Sequence, residues 1–455
     1  MPGADGNDAV YRREAQNDLI SEQSMVRSAI LSVMTFCPCG SGFQPRYHRG
    51  KMPLPQKNIQ LRWKTDFGIE PHLVGIYLKP KHPAGSQARM RKHLVIVGAG
   101  HAHMTVLKRL ADFTAAGHRV TVIGPGPLHY YSGMGPGMLS GIYRPEDIRF
   151  NVKDMAVARG ASFIEDLVVR VDPVKKELLL QRGECVAYDV VSFNAGSGVP
   201  IDDRISAHED VVPVKPIERL LHARARIIEA LREKKLSIVV AGGGPAGLEI
   251  AANLRRLVVD ATGAAEITLI ADRLLAGFDP VVRRMALRGL VRLGITLIEG
   301  QKVASADTRC IRTTSGDRRP CDVLFLAVGV KPSPIFRDSS LPTGADGGLL
   351  VNDCLQSVAF PEIFGGGDCI CFAPRPLAKV GVYAVRQNPV LLQNLRSALG
   401  GGVLVAFTPQ KSYLLAFNMG DGTAIVRWKF LVFDGRPGFA LKDYLDRRFM
   451  KMFQE

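Results

Sequence analysis

Two glycine-rich turns constrain the fold of this chain more than any other feature. Each turn follows a short apolar run and precedes a helical pattern; the first begins at Gly98 and the second, 144 residues later, at Gly242. A strand, a glycine turn and a helix in this order open a parallel α/β sheet of the dinucleotide-binding kind. Because the unit occurs twice, the sequence predicts an α/β protein with two Rossmann-like domains. Strand patterns after Gly400 and a last helical pattern predict a small C-terminal region.

The second turn carries the complete G-x-G-x-x-G pattern between an apolar strand and a helix. Gly242 permits the tight turn, Gly244 lets the backbone approach a pyrophosphate, and Gly247 lets the helix pack closely on the strand. Pro245 and Ala246 begin the helix, whose unpaired N–H groups attract phosphate. We expect these five residues to bind a nicotinamide nucleotide.

Two charged residues follow the next predicted strand, at the position where Rossmann domains recognise the adenosine ribose. Asp272 is suited to a ribose 2′-hydroxyl and therefore to NAD, whereas Arg273 is suited to a 2′-phosphate and therefore to NADP. The sequence is therefore compatible with both NAD and NADP.

The first turn departs from the full pattern. Gly98 and Gly100 are present, but His103 stands where the third glycine belongs, and no acidic residue ends the second strand. A glycine turn in an unrelated α/β sheet would look similar. If a dinucleotide binds here, we expect Gly98, Gly100, His101 and Ala102 to contact it, with the ribose held by backbone or by another side chain.

Three further segments lie where the chain would pass between two such domains or return to the first. One contains Ala195 and Gly196, a second spans residues 326–332, and a third ends an apolar run at Gly367 and Asp368. Together with the first turn, these three segments make four signals, and four signals in this order are more specific than any one of them. They indicate two dinucleotides held by one polypeptide.

From Lys92 to its end, the sequence resembles the pyridine nucleotide-disulfide oxidoreductase superfamily. It is most similar to the branch of type II NADH dehydrogenases and sulfide:quinone oxidoreductases, and within it to the FAD-dependent module found fused to selenophosphate synthetase. No synthetase domain is present here. The motifs that carry the resemblance are residues 98–103, 131–137, 382–387 and 446–450.

The resemblance implies that the protein binds FAD and takes a hydride from NADH or NADPH as its substrate. It implies that Asp368 hydrogen-bonds the ribityl chain of FAD. The other FAD contacts that it implies are Gly98, Gly100, His101, Ala102, Ala195, Gly196 and Gly367.

Two residues are candidates for a catalytic role. Lys379 precedes a predicted helix over residues 380–397, and the resemblance implies a cation that stabilises reduced flavin; an exposed lysine at a helix start is the alternative. Glu249 lies on the helix after the second turn, where related enzymes carry a glutamate near nicotinamide and flavin. Its alternative role is to complement the helix dipole.

The eight cysteines bear on the electron acceptor. No Cys-x4-Cys or Cys-x-x-Cys pair follows either glycine turn, which argues against disulfide reduction. Cys369 and Cys371 flank Asp368, and we favour inert thiols over redox-active ones. The class of electron acceptor that remains is a quinone or another small molecule. The alternative functions are a flavoprotein that acts in selenium or sulfur metabolism and a nucleotide-binding redox sensor with little turnover.

Motif order predicts the domain boundaries. Residues 1–89 lack periodicity and are expected to be a disordered leader or to precede the true start at Met90; Cys37, Cys39 and His48 offer three metal ligands there, but we expect no metal site. The expected units are a FAD-binding domain formed by residues 90–213 and 321–399, a NAD(P)H-binding domain over 214–320, and C-terminal strands and an amphipathic helix over 400–455.

The chain has 59 Lys and Arg against 43 Asp and Glu, and residues 1–92 contribute 14 against 7 of these. No basic segment is interleaved with aromatic residues, which argues against nucleic-acid binding.

A final helix is predicted from Leu441 to Phe453, with Leu445, Phe449 and Met452 on its apolar face. It suits either contact with an anionic membrane or packing on the protein, and Asp443 and Asp446 favour packing. We expect a cytoplasmic protein, with peripheral attachment to the inner face of a membrane as the alternative.

Overall fold

The computed structural model describes residues 91–205 and 210–454. Residues 1–90, which include Cys37, Cys39 and His48, lie outside the described ranges.

Two five-stranded parallel sheets form the centre of the molecule. The central strands of both consist mostly of buried residues, as expected for parallel sheets covered on both faces, whereas the outer strands Ser162–Glu165 and Thr296–Ile298 are partly exposed. The first sheet has, in spatial order, strands Ile363–Gly365, Val190–Phe193, His93–Val97, Arg119–Gly124 and Ser162–Glu165. The second has Val211–Pro213, Val323–Leu326, Leu236–Ala241, Ala265–Ile270 and Thr296–Ile298.

The first sheet is completed by a strand from late in the chain, since Ile363–Gly365 pairs with Val190–Phe193. The chain crosses between the sheets at an antiparallel pair, Ser197–Gly198 with Lys331–Pro332. The flanking strands Val211–Pro213 and Val323–Leu326 both belong to the second sheet. The second sheet therefore includes one strand on either side of the predicted range 214–320.

Each parallel sheet carries a three-stranded antiparallel sheet, which repeats the same order of elements. The first of these comprises Val168–Asp172, Glu177–Leu180 and Cys185–Ala187, and the second Val303–Ala306, Cys310–Thr313 and Arg318–Pro320. Further pairs are Leu128–Tyr130 with Arg149–Asn151 and Leu349–Val351 with Ile370–Phe372. The C-terminal sheet comprises Leu415–Asn418, Ala424–Trp428 and Leu431–Gly435.

The helices cover the sheets and border the space between them. The longer ones are Glu218–Glu233, Pro245–Asp260, Pro280–Arg292, Gly381–Gly400 and Arg436–Gln454. The shorter ones are Met104–Lys108, Leu110–Ala115, Gly135–Ser140, Val152–Val157 and Ile335–Asp338, with 3₁₀ turns at His101–His103, Ser132–Met134, Pro145–Ile148 and Gly367–Cys369. Within the described ranges, no helix is both long and apolar enough to cross a bilayer.

The terminal helix differs from its prediction in two ways. It begins at Arg436 rather than Leu441. Pro437 does not prevent this earlier start, because it lies in the first turn of the helix, where proline is tolerated. Its buried face also includes Met450 and Phe453, whereas Met452 is 41% exposed. The helix packs on the body of the protein, as the two aspartates favoured.

Candidate active site

A large cavity lies at the carboxyl ends of the first-sheet strands, where open α/β sheets bind their ligands. Its volume is about 1990 Å³, roughly twice the upper range of pockets for a single small ligand, about 300–1,000 Å³. Its walls come from the first glycine turn, the start of helix Pro245–Asp260, helix Gly381–Gly400 and the terminal helix Arg436–Gln454. The cavity therefore has room for more than one ligand.

The first glycine turn closes tightly around Asn194. A Cβ on Gly98, whose φ is +81°, would lie 2.5 Å from the backbone oxygen of Asn194, and one on Gly100 would lie 2.4 Å from its Oδ1. Gly367 approaches the same side chain, since its Cβ would lie 2.7 Å from Oδ1. These three positions require glycine because any side chain would displace Asn194.

Asn194 is only 3% exposed, and its Nδ2 has no hydrogen-bond partner among the described residues. A buried amide without an acceptor is unfavourable, and such groups in native proteins call for an explanation. Asn194 lines the cavity, as do Gly98, Gly100, Ala195 and Gly196. No sequence motif singles out Asn194, although it directly precedes Ala195.

His103 shows why the missing third glycine is tolerated. Its ring is fully buried, with Nδ1 2.7 Å from the carbonyl oxygen of Gly98 and Nε2 2.8 Å from the Ser192 hydroxyl. Burial lowers the pKa of His103 to about 4, so the ring is neutral; Nδ1 then donates to the carbonyl and Nε2 accepts from the hydroxyl. The side chain is bound internally and leaves the turn open. His101 lines the cavity, whereas Ala102 is buried beneath it.

Asp368 meets two polar groups from the connecting region of the chain. Its Oδ2 accepts hydrogen bonds from Lys215 Nζ at 2.7 Å and from the Ser197 hydroxyl at 2.9 Å. Burial raises the pKa of Asp368, but Lys215 and Ser197 outweigh burial and hold it below its usual range. All three residues line the cavity, and Lys215 was not anticipated from the sequence.

Lys379 also lines the cavity, directly before helix Gly381–Gly400. Its ammonium pairs with Asp346 at 2.7 Å and donates to the carbonyl oxygen of Ile370. The positive charge of Lys379, which the resemblance implies would stabilise reduced flavin, is therefore balanced by the Asp346 carboxylate.

The second glycine turn is fixed by backbone contacts. A Cβ on Gly242 would lie 2.2 Å from the Ala327 carbonyl oxygen, and one on Gly247 would lie 1.8 Å from the Gly242 oxygen. Around Gly244 there is open space, since its Cβ would meet nothing within 4 Å. Pro245 and Ala246 line the cavity.

Asp272 and Arg273 follow strand Ala265–Ile270, and both side chains are exposed beyond this turn. The main-chain oxygen of Asp272 accepts a hydrogen bond from Gly300 N at 2.9 Å. Both side chains are therefore accessible at the position where the sequence predicts contact with a ribose.

Glu249 lies on the cavity wall one turn into helix Pro245–Asp260. Its Oε1 accepts a hydrogen bond from Asn418 N at 2.8 Å. Burial raises the pKa of Glu249 to about 7, against the opposing effects of Lys442 and of that hydrogen bond. The carboxyl group therefore exchanges its proton near neutral pH.

The two cysteines beside Asp368 are free thiols. Cys369 is fully buried, with Sγ 3.3 Å from the Gly366 oxygen and 3.4 Å from the Phe193 oxygen, and burial raises its pKa to about 11. Burial also raises the pKa of Cys371. Both thiols are thus held in the unreactive protonated form.

Two parallel sheets, each with a strand followed by a glycine turn and a helix, define a protein with two dinucleotide-binding units. The first turn lines the cavity directly, and the second unit reaches it through Pro245 and Ala246 at the start of its helix. The pyridine nucleotide-disulphide oxidoreductase family model matches residues 92–394. The chain belongs to this family.

Two named proteins illustrate the similarity. Ferroptosis suppressor protein 1 of Taeniopygia guttata is 25% identical over 291 residues, which cover 60% of this chain and 73% of that protein. External NADH-ubiquinone oxidoreductase 2 of Saccharomyces cerevisiae is 24% identical over 329 residues, 64% of this chain and 60% of that protein.

Among solved structures, NDH2 of Plasmodium falciparum in complex with NADH has a TM-score of 0.69 at 13% identity, covering 80% of this chain and 98% of that one. The sulfide:quinone oxidoreductase of Aquifex aeolicus has a TM-score of 0.67 at 15% identity, covering 80% and 91%. These likenesses confirm the predicted fold class of two Rossmann-like domains.

Proposed function

We propose that this protein is a FAD-dependent NAD(P)H oxidoreductase that passes electrons from the nicotinamide nucleotide through FAD to a quinone or another small acceptor. The observation that carries the proposal is one cavity lined by the first glycine turn, by Pro245 and Ala246 of the second unit, and by the ionisable Glu249. The NADH-ubiquinone oxidoreductase among its relatives supports a quinone as acceptor.

The first unit suits FAD because it offers both a close backbone approach and an unused donor. Gly98 and Gly100 would hold the pyrophosphate, and the buried Nδ2 of Asn194 lacks the acceptor that a bound cofactor would supply. Asp368 would accept from the ribityl hydroxyls, with His101, Ala195 and Gly196 beside it. When bound, FAD supplies the carrier that takes a hydride and releases its electrons to the acceptor.

The second unit would hold the nicotinamide nucleotide. The N-terminus of helix Pro245–Asp260 offers free N–H groups to the phosphates, and the open space at Gly244 allows them to approach. Asp272 and Arg273 would decide between a ribose 2′-hydroxyl and a 2′-phosphate. We propose residues 211–326 as this domain, with FAD held by the parts of the chain on either side.

Glu249 would supply a proton. Reduction of a quinone to a hydroquinone takes two electrons and two protons, and the hydride brings both electrons and only one proton. The second proton must come from solvent through a group that holds and releases it near neutral pH. Glu249 meets this condition, because it lines the cavity and its pKa is about 7.

The proposal is tested by anaerobic titration of the purified protein with NADH and NADPH, followed by a panel of quinones. We expect about one equivalent of bound FAD, bleaching of its absorbance by one or both nucleotides, and reoxidation by quinones. A colourless preparation that takes up no flavin would contradict the cofactor assignment. Reoxidation by selenium or sulfur compounds but not by quinones would contradict the acceptor, and slow bleaching without turnover would indicate a sensor.

Glu249→Gln is expected to lower kcat for quinone reduction by about 100-fold, the lower range of general acid catalysis. In the native enzyme we expect kcat to fall as pH rises through about 7, because the proton-donating form is lost there. The variant should lack this limb. Glu266→Gln, at an exposed position paired with Lys235, is the control. An unchanged pH profile in Glu249→Gln would exclude the proton-donor role.

The double variant Cys369→Ser, Cys371→Ser is expected to oxidise NAD(P)H within about twofold of the native rate, a barrier change of roughly 0.4 kcal/mol. A serine hydroxyl at 369 can donate to the carbonyl oxygens of Phe193 or Gly366 that now face Sγ. The anaerobic titration should consume the same amount of reductant in both proteins. Two fewer electrons in the variant would show that the thiols are redox-active.

A further inference from the structure

The terminal helix places a buried ion pair on the cavity wall. Lys442 Nζ lies 2.7 Å from Asp446 Oδ2, and each residue is only 7% exposed. Removing two charges from water costs more than apolar packing at the same place, so such a pair is weak evidence for stability. Because both side chains line the cavity, a role at the site is the stronger explanation.

The pair holds the segment at the start of the helix Gly135–Ser140. Lys442 Nζ donates to the Gly133 carbonyl oxygen at 2.9 Å, and the Tyr131 hydroxyl donates to Asp446 Oδ1 at 3.1 Å. The Tyr131 ring stacks on Phe449 of the same helix at a centroid distance of 4.7 Å. These contacts fix both charges relative to the cavity.

Both charges act on Glu249, with opposite sign. The Lys442 ammonium favours the Glu249 carboxylate, and the Asp446 carboxylate disfavours it. Burial raises the pKa of Asp446, whereas the Lys442 ammonium and the Tyr131 hydroxyl favour its ionised form. Burial lowers the pKa of Lys442, but Asp446 and Glu249 outweigh burial and hold it above its usual value, so the ammonium is charged at neutral pH.

Lys442 and Asp446 are the side chains whose charges act most on Glu249, although helix Glu218–Glu233, which packs on the helix that carries Glu249, brings Glu218 to the cavity wall. Strand Leu415–Asn418 contributes the N–H of Asn418, and helix Gly135–Ser140 has no titratable side chain. The phenol of Tyr131 also interacts electrostatically with Glu249, and it stays neutral because burial raises its pKa well above the usual value. Asp443 acts on the pair rather than directly on Glu249.

We propose that Lys442 and Asp446 are positioning residues that set whether Glu249 carries its proton, and thereby when it can protonate the acceptor. This inference rests on the proposed function of Glu249 as proton donor. In that step the O–H bond of Glu249 breaks and a new O–H bond forms on the reduced acceptor oxygen. The carboxylate left behind faces the Lys442 ammonium, and solvent returns the proton.

The inference requires that neutralising Lys442 and neutralising Asp446 shift the pH at which Glu249 releases its proton in opposite directions. In Lys442→Gln, Glu249 loses its positive neighbour and should hold its proton to higher pH. In Asp446→Asn, it loses its negative neighbour and faces an unbalanced ammonium, so it should release its proton at lower pH. We expect each displacement to be about one pH unit, the lower range for a nearby charge.

The displacement is measured as the infrared absorption of the protonated carboxyl group across a pH titration of the full-length protein, with Glu249→Gln identifying the band. Lys442→Arg keeps the charge and should titrate like the native protein. Lys451→Gln, which removes an exposed charge from the same helix, is the matched control. Flavin content and circular dichroism establish that each variant is folded.

Opposite displacements of the Glu249 titration support the inference, whereas displacements in the same direction, or none, overturn it. The pH profile of kcat then tests the proposed function separately. If the titration moves in opposite directions but the kcat profile does not follow, the tuning stands and Glu249 is not the proton donor.

Discussion

Replacing Gly244 by valine is expected to leave a folded, flavin-containing protein that binds NADH and NADPH about 100-fold more weakly, a loss of roughly 2.7 kcal/mol. Gly244 has φ −76°, which any residue adopts, and its Cβ would meet nothing within 4 Å. The substitution therefore disturbs no contact of the protein itself. The valine methyl groups would instead fill the space through which the nucleotide phosphates reach the helix N-terminus.

Two other glycines make this result interpretable. Gly400→Val adds a side chain where Cβ also meets nothing within 4 Å, but at the end of a helix and off the cavity wall, so binding should not change. Gly247→Ala places Cβ 1.8 Å from the Gly242 oxygen and should lower the melting temperature. Binding is measured by flavin bleaching under anaerobic conditions. Native affinity in Gly244→Val would contradict the assignment of this turn to the nucleotide.

The sequence was sufficient for the parts of this fold that depend on neighbouring residues. The strand Leu236–Ala241 and the start of helix Pro245–Asp260 follow from a buried apolar run, a glycine turn and an N-terminal proline, all within about ten positions. The positive φ of Gly98 and Gly242 is likewise a local requirement that their spacing reveals.

The residues that sequence reasoning missed come together only through the tertiary fold. Lys215 and Asp368 are 153 positions apart, and Lys442 lies 309 positions from the Gly133 carbonyl that it contacts. Lys442 and Asp446 also have the composition of a solvated helix face, since charged residues are rarely buried. The sequence therefore predicts an apolar face made of Leu441, Leu445, Phe449 and Met452, although Met452 is 41% exposed.

Asp368→Ala is expected to remove most of the bound flavin, leaving less than about a tenth of the native complement, which corresponds to roughly 1.4 kcal/mol or more of lost affinity. The carboxylate organises the Lys215 ammonium and the Ser197 hydroxyl through one oxygen, and its other oxygen remains for a ribityl hydroxyl. Without it, the acceptor is lost and a partly buried ammonium has no counter-charge at this place.

Three variants separate the loss of the acceptor from the loss of the counter-charge. Asp368→Asn keeps a carbonyl acceptor for Lys215 and Ser197, so flavin content should rank native, then Asn, then Ala. Asp368→Ala combined with Lys215→Ala should recover melting temperature but not flavin, because it removes the unbalanced ammonium and restores no acceptor. Asp322→Ala, which breaks a more exposed ion pair with Lys234 in the second unit, should keep its flavin.

The measurement is the ratio of flavin to protein absorbance after purification, together with the dissociation constant on reconstitution with FAD. A full flavin complement in Asp368→Ala would exclude the ribityl contact. If the double variant regained flavin, the Lys215 charge, and not the missing acceptor, would be the reason for the loss. Either result would mean that the cofactor does not contact Asp368. The buried Nδ2 of Asn194, which has no hydrogen-bond acceptor among the described residues, would then require a different ligand.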